Sequence, residues 1–248
     1  MSKTSATKNP TPKNFPALRK ALRAFSDPKK VKDFQWFFKT KKGEYAEGDT
    51  FLGVTVPQQR RVAKEFFDLP LPELTKAVRS PWHEERLTAL FIAVAQYKKG
   101  DEKTRKQLHA WYLGNTKTVN NWDLVDSSAE VLVGPHAERY GTAILTKLAQ
   151  SKSLWERRIA MIATFHFIKQ GSAREALNIA TILRNDGHDL IQKAVGWMLR
   201  EVGKRVSVAS EEVFLKKYAA TLPRTALRYA LEHFPANKRA HYMNMRQS

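Results

Sequence analysis

Helix-forming stretches open near residues 82, 121, 154, 188 and 223, about 30 to 40 residues apart, with one further helical stretch between each pair. That spacing is the rhythm of stacked helical hairpins. Pro, Gly, Asn or Ser punctuates nearly every junction, and no segment sustains the period-two alternation of a half-buried strand. Three of the starts look alike: HEERLTALFIA from His83, WERRIAMIATF from Trp155 and IQKAVGWMLRE from Ile191. The first two place an arginine three residues before an alanine, Arg86 with Ala89 and Arg157 with Ala160. The expected fold is therefore all-α, an α-solenoid of HEAT or armadillo type built from stacked antiparallel helix pairs. A closed four-helix bundle would need far fewer helices. Such solenoids curve, so a basic concave face is expected to cradle an extended partner.

Helices are expected at 57–68, 72–79, 82–98, 101–113, 121–133, 136–149, 154–169, 172–184, 188–204, 208–220 and 223–234, after two shorter ones that follow Asn14 and Asp27. The segment 40–57, with three glycines and a closing proline, reads as the longest internal loop. Residues 1–14 are polar, basic and Pro-containing and read as a disordered arm; 15–236 form one domain, and 237–248 a basic tail.

The partner is constrained by charge. Lysine and arginine number 43 against 24 acidic residues, a formal net charge of +19. An excess that large calls for a polyanion. No apolar run is long enough to span a bilayer and no signal peptide is evident, so a cytoplasmic, soluble monomer is expected. With no cysteine, thiolate catalysis and cysteine-ligated metals are excluded, and the seven histidines lack the i, i+4 pairing of a zinc helix. No metal and no cofactor are expected. Neither a phosphate-binding Gly-rich loop nor a dinucleotide fingerprint is present.

Three helices carry residues on unexpected faces. In the stretch from Asn120 to Ser128, Trp122 and Asp126 stand four apart and share a helix face with Ala129 and Val133. An unpaired carboxylate on an apolar strip costs several kcal/mol, so Asp126 needs a partner or a purpose. Asp123 is simpler: with Asn120 as N-cap it sits at N3, where negative charge suits the helix dipole. Between Leu190 and Lys204 the apolar stripe runs through Ile191, Ala194, Val195, Met198, Leu199 and Val202, whereas Trp197 lies opposite with Lys193, Arg200 and Lys204. An indole among cations suits nucleic acid; the alternative is an exposed ring packing on a neighbouring repeat under lysine stems. Between residues 154 and 169, Arg158 falls among Trp155, Ile159, Ile162 and Phe165. A guanidinium cannot deprotonate, so Arg158 must meet Asp126 or a phosphate.

Taken in order, FLGVTVP (Phe51 to Pro57), NWDLVDS, LWERRIA, IQKAVGWMLRE and PRTALRYALEHFP resemble the AlkD-type DNA alkylation repair glycosylases over about residues 30 to 236. The resemblance implies a HEAT-like solenoid that removes positively charged N3-alkyladenine and N7-alkylguanine from duplex DNA without needing to flip the base. Position by position it implies Asp126 as catalytic acid, Trp122 and Trp197 as active-site tryptophans and Arg158 as a phosphate-binding arginine. Lys193, Arg200 and Lys204 would hold further phosphates, and Thr55 is the one DNA contact carried over near the FLG motif. An alkylated purine leaves without a general acid, so the charge that develops is positive and on the sugar. A carboxylate about 4 Å away at an effective dielectric near 20 is worth up to ~4 kcal/mol, roughly a thousandfold. With no lysine suited to a Schiff base, a monofunctional hydrolase is expected. The alternatives are a non-catalytic HEAT-type DNA or RNA binder, which needs only the charge, and a protein-binding solenoid with an acidic partner.

Overall fold

The computed structural model describes residues 12–245. Among them every regular element is helical, apart from one isolated bridge between Thr50 and Trp82. The protein has an all-α, helical-repeat fold, and none of the described helices is long and apolar enough to cross a membrane. Where one domain was expected over 15–236, the contacts fall into two compact units, one ending at Gln96 and the other starting at Tyr97. The expected arm at 1–14 lies mostly outside the described residues; its last three, Pro12 to Asn14, are described.

In the first unit, α1 (Phe15–Arg23) starts where the Asn14 side chain accepts the Ala17 N–H at 2.9 Å, and it buries Phe15, Leu18 and Leu22. α2 (Pro28–Phe37), capped by Asp27, buries none of its residues. The loop that follows turns through Gly43, Gly48 and Gly53, all at positive φ. Gly53 is obligatory for a second reason, since a Cβ there would lie 2.1 Å from the Asp27 carbonyl oxygen. Glu84, 1% exposed, accepts N–H groups from Leu52, Gly53 and Val54, and so ties the FLG segment to a helix start. α3 (Val56–Glu65), α4 (Leu71–Val78) and α5 (His83–Lys99) complete the series to the boundary.

In the second unit, α6 (Glu102–Leu113) leads through a 3-10 turn at Thr116–Thr118 to α7 (Trp122–Asp126), α8 (Ala129–Leu132), α9 (Gly134–Tyr140) and α10 (Ala143–Ala149). α11 (Leu154–Ala163), α12 (Phe165–Lys169), α13 (Arg174–Leu183), α14 (Asp189–Arg205), α15 (Val208–Tyr218), α16 (Arg224–Ala230) and α17 (Ala236–Asn244) follow. α11 packs on α7, α8, α10, α13 and α14, while α14 also packs on α15 and α16. These two helices form the spine of the unit. Gly196 lets α14 approach α16, because a Cβ there would meet the Ala226 carbonyl oxygen at 2.3 Å.

Several helices expected as continuous are broken. The 121–133 stretch divides at Ser127 and Ser128, the 136–149 stretch at Gly141 with φ 110°, and the 154–169 stretch at Thr164. Buried Ser128 and Thr164 turn their hydroxyls onto the carbonyls of Leu124 and Met161 at 2.6 Å each, competing with the helical bonds of their own turns. At the other end, most of the expected tail is α17, held by buried Tyr242 edge-on to Phe234 at 5.9 Å.

Candidate active site

α7 is only five residues long, and its entry is built by Asn121 rather than Asn120. The Asn121 side chain accepts the Trp122 N–H at 2.8 Å, and Asp123 accepts the Leu124 N–H at 2.8 Å. The break at Ser127 makes Asp126 the last residue of the helix, with its side chain 18% exposed. Arg158 of α11 reaches it with a fork: Nε donates to one carboxylate oxygen at 2.9 Å and the terminal nitrogen to the other at 2.8 Å. The remaining arm of the same guanidinium donates to the Leu190 carbonyl in the first turn of α14 at 2.5 Å.

One arginine thus fixes three helices around one carboxylate. Burial is the largest influence on Asp126 and moves its pKa up from the ordinary aspartate value, while Arg158 opposes that shift. Without the arginine the acid would be protonated more readily still. The contrast lies further along the unit at Glu211, fully buried on α15 with no arginine bonded to it. Burial, then Glu212, push it up to about 9. His233 lies 3.1 Å away and is itself held below the ordinary histidine value by burial, so burial disfavours charge on both groups.

The other sequence-derived positions divide sharply. Trp122 and Trp197 are both half-buried, and Trp197 meets Phe165 at 6.1 Å between ring centroids. Phe165 in turn lies under Lys169 at 4.4 Å and Arg205 at 5.2 Å. The cations expected on phosphates are largely engaged within the protein. Arg158 has only 6% of its side chain exposed and is committed to Asp126 and Leu190, so in this conformation it is no open phosphate clamp. Lys193 pairs with Asp189 at 2.6 Å, and Arg200 pairs with Glu232 and, at 3.5 Å, with Glu201. Lys204 is exposed. Thr55 belongs to the first unit, where its hydroxyl donates to Gln58 at 2.7 Å in the N-cap of α3.

Residues missed from the sequence hold the site from behind. Asp186 accepts the His188 N–H at 2.9 Å and the Arg157 Nε at 2.6 Å, and the His188 ring accepts the Leu190 N–H at 3.1 Å. The peptide whose carbonyl steadies Arg158 is held in the same turn, its Ile191 N–H donating to the His188 carbonyl at 2.9 Å. The available signal was a spacing: a Ser or Asp, a backbone N–H two residues on, and a long polar side chain six residues on. Trp82 N–H donates to Ser80, Ser153 N–H to Ser151 and His188 N–H to Asp186, at 3.1, 3.0 and 2.9 Å. Arg86, Arg157 and Gln192 return to the carbonyls of Ser80, Ser151 and Asp186 at 3.2, 3.1 and 3.0 Å.

The model of the DNA alkylation repair enzyme family matches residues 18–234. The chain belongs to that family. Among solved structures, the family fold is met again in a protein described as a predicted DNA alkylation repair enzyme from Enterococcus faecalis. It has a TM-score of 0.67 at 17% identity, covering 85% of this chain and 97% of that one. A comparison with curated proteins finds none that match. Within the family frame, residues 18–234 include every site residue named above.

Proposed function

We propose that this member of the DNA alkylation repair family is a monofunctional glycosylase. It hydrolyses the N-glycosidic bond of N3-alkyladenine and N7-alkylguanine in duplex DNA, gripping the lesion-bearing strand without needing to flip the base. The observation that carries the proposal is the Asp126 carboxylate, oriented by the Arg158 fork at 2.9 and 2.8 Å yet still 18% exposed.

The pairing changes the energetics of the acid. A carboxylate about 4 Å from the developing sugar cation is worth ~4 kcal/mol at an effective dielectric near 20, but a guanidinium about 7 Å away takes back ~2.4 kcal/mol. The net field is then worth ~2 kcal/mol, roughly twenty- to thirtyfold in rate. Orientation of the attacking water by Asp126 must contribute alongside it. Trp122 and Trp197 add about 0.5 to 2 kcal/mol each by cation-π attraction to the alkylated purine and the sugar cation. Arg158 acts here by positioning Asp126, and Lys204, with Lys193 and Arg200 once they exchange their acids for phosphates, supplies the backbone grip. The absence of a Schiff-base step agrees with the Lys193 ammonium being held by Asp189.

A non-catalytic DNA binder is favoured by one fact, that a bidentate Asp126–Arg158 pair is also what a purely structural link between helices looks like. Liquid chromatography of bases released from methylated duplex DNA separates the two. The glycosylase releases N3-methyladenine and N7-methylguanine, and Asp126→Asn lowers the rate while leaving DNA binding in place. Equal release by both proteins removes Asp126 from the mechanism, and no release by the wild type leaves only the binder.

A further inference from the structure

The first unit holds a surface that the Asp126 site does not use. α2 has no buried residue, and Trp36 near its end is 68% exposed, with Phe37 beside it at 52%. Phe34 of the helix and Phe38 just beyond its end meet Phe51 at 6.0 and 5.2 Å. Trp36 follows Phe34 by two residues and so points away from that contact. Its own face carries Lys32 one turn earlier and Lys29 two turns earlier. Residues 28–42 hold six lysines, at 29, 30, 32, 39, 41 and 42, against one acid, Asp33. All but Lys30 are exposed.

The end of α2 adds an independent observation. Lys39 has φ 58°, and among the described residues it is the one non-glycine in the left-handed region. It ends the helix with a Thr40 N–H to Gln35 carbonyl bond of 3.2 Å, a position where glycine costs nothing and lysine is strained. What the lysine adds is its ammonium, which sits 4.9 Å from the centre of the Trp36 ring. Strain kept at a surface position marks a site selected for something other than stability.

We propose that the exposed face of α2 is a second DNA-contacting surface, on which Trp36 packs against a deoxyribose while Lys29, Lys32 and Lys39 neutralise the flanking phosphates. An indole among lysines fits a sugar-phosphate backbone, the cations meeting phosphates and the ring a sugar, and it reads no sequence. The choice of DNA rests on the repair reading above, but this contact needs no lesion, so its failure and the failure of the glycosylase reading are distinguishable.

The test is fluorescence anisotropy of the full chain with a short undamaged DNA duplex, which offers nothing to excise, with an RNA duplex and with polyglutamate. Trp36→Ala is expected to weaken DNA binding severalfold and Trp36→Phe to recover most of that loss. Lys39→Gly relieves the backbone strain, so it is expected to melt no lower than wild type while its log K against log salt slope becomes shallower by about 0.9. That combination separates a contact from a structural role. Unchanged DNA affinity and salt slope in all three variants overturn the proposal. So does a loss confined to RNA or to polyglutamate, which assigns the surface to another partner.

Discussion

The starts of α5 and α11 are built to the same plan and differ in one residue that matters. In α5, Ser80 accepts the Trp82 N–H and donates to Glu85 at 2.5 Å, while Arg86 holds the carbonyls of Ser80 and Pro81 and reaches Asp49 at 2.7 Å. In α11, Ser151 accepts the Ser153 N–H and donates to Glu156 at 2.5 Å, while Arg157 holds the carbonyls of Ser151 and Lys152 and reaches Asp186 at 2.6 Å. Each glutamate also clasps an earlier element of its own unit, Glu85 through Arg19 at 2.9 Å and Glu156 through Thr116 at 2.8 Å. The next residue is Leu87 in α5, 1% exposed in the core, and Arg158 in α11. The same backbone frame thus serves packing in one unit and holds a carboxylate in the other.

Making α11 resemble α5 at that residue is the harshest way to break the comparison. Arg158→Leu leaves Asp126 among buried groups without its partner, which is expected to cost about 3 to 5 kcal/mol by chemical denaturation. The double variant Arg158→Leu with Asp126→Asn is expected to regain much of that stability yet release no base. If the single variant is as stable as wild type, the pair is not what holds α7 to α11.

The two buried carboxylates sharpen the point next. Glu211, raised to about 9, stabilises the fold fully at pH below its ordinary 4.5 and loses that contribution as pH rises toward 9. Glu211→Gln keeps the shape without the proton, so at pH 7 it is expected to gain up to ~3 kcal/mol and to lose the pH dependence. A variant that is less stable at pH 7 contradicts a protonated Glu211. For Asp126 the raised pKa predicts an acid limb: under the glycosylase reading, base release followed by liquid chromatography is expected to fall as pH drops through a value above that of ordinary aspartate. In Arg158→Leu that acid limb moves to still higher pH.

Smaller effects test whether the shared frame is equivalent in both units. α14 uses Gln192 where α5 and α11 use arginine, so Arg86→Gln and Arg157→Gln keep the bond to the Ser80 or Ser151 carbonyl and lose the ion pair together with the second carbonyl, of Pro81 or Lys152. Each is expected to cost about 1 to 2 kcal/mol. Arg157→Gln is expected to slow base release as well, through Asp186 and Leu190, whereas Arg86→Gln leaves the chemical step alone. Least of all, Ser80→Ala and Ser151→Ala are expected to cost about 1 kcal/mol each. Unequal losses in these thermal melts would show that the two starts are alike only in outline.

Much of the site was written in local order. The 3.6-residue period sets Trp122 with Asp126, takes Trp197 off the apolar stripe and puts Arg158 where a guanidinium needs an anion. The Asp189–Lys193 pair, four residues apart, was equally legible. The caps were less so: Asn120 and Asn121 are both competent, and the choice of Asn121 depends on where the preceding turn ends. The short breaks at Ser127, Gly141 and Thr164 interrupt patterns whose periodicity continues across them.

The repeat spacing, the all-α class, the charge excess and the family motifs follow from the sequence alone, because they depend on residue type and on separations of a few tens of residues. Only the tertiary structure decides which anion Arg158 meets. Asp126 lies 32 residues away and Glu232 lies 32 residues from Arg200, separations that no helical period brings together. What brings them together is the stacking of one hairpin on the next. Burial there makes an unpaired Asp126 costly enough that Arg158 takes it, while Lys193 and Arg200 meet other acids, Asp189, Glu201 and Glu232, and Lys204 stays exposed.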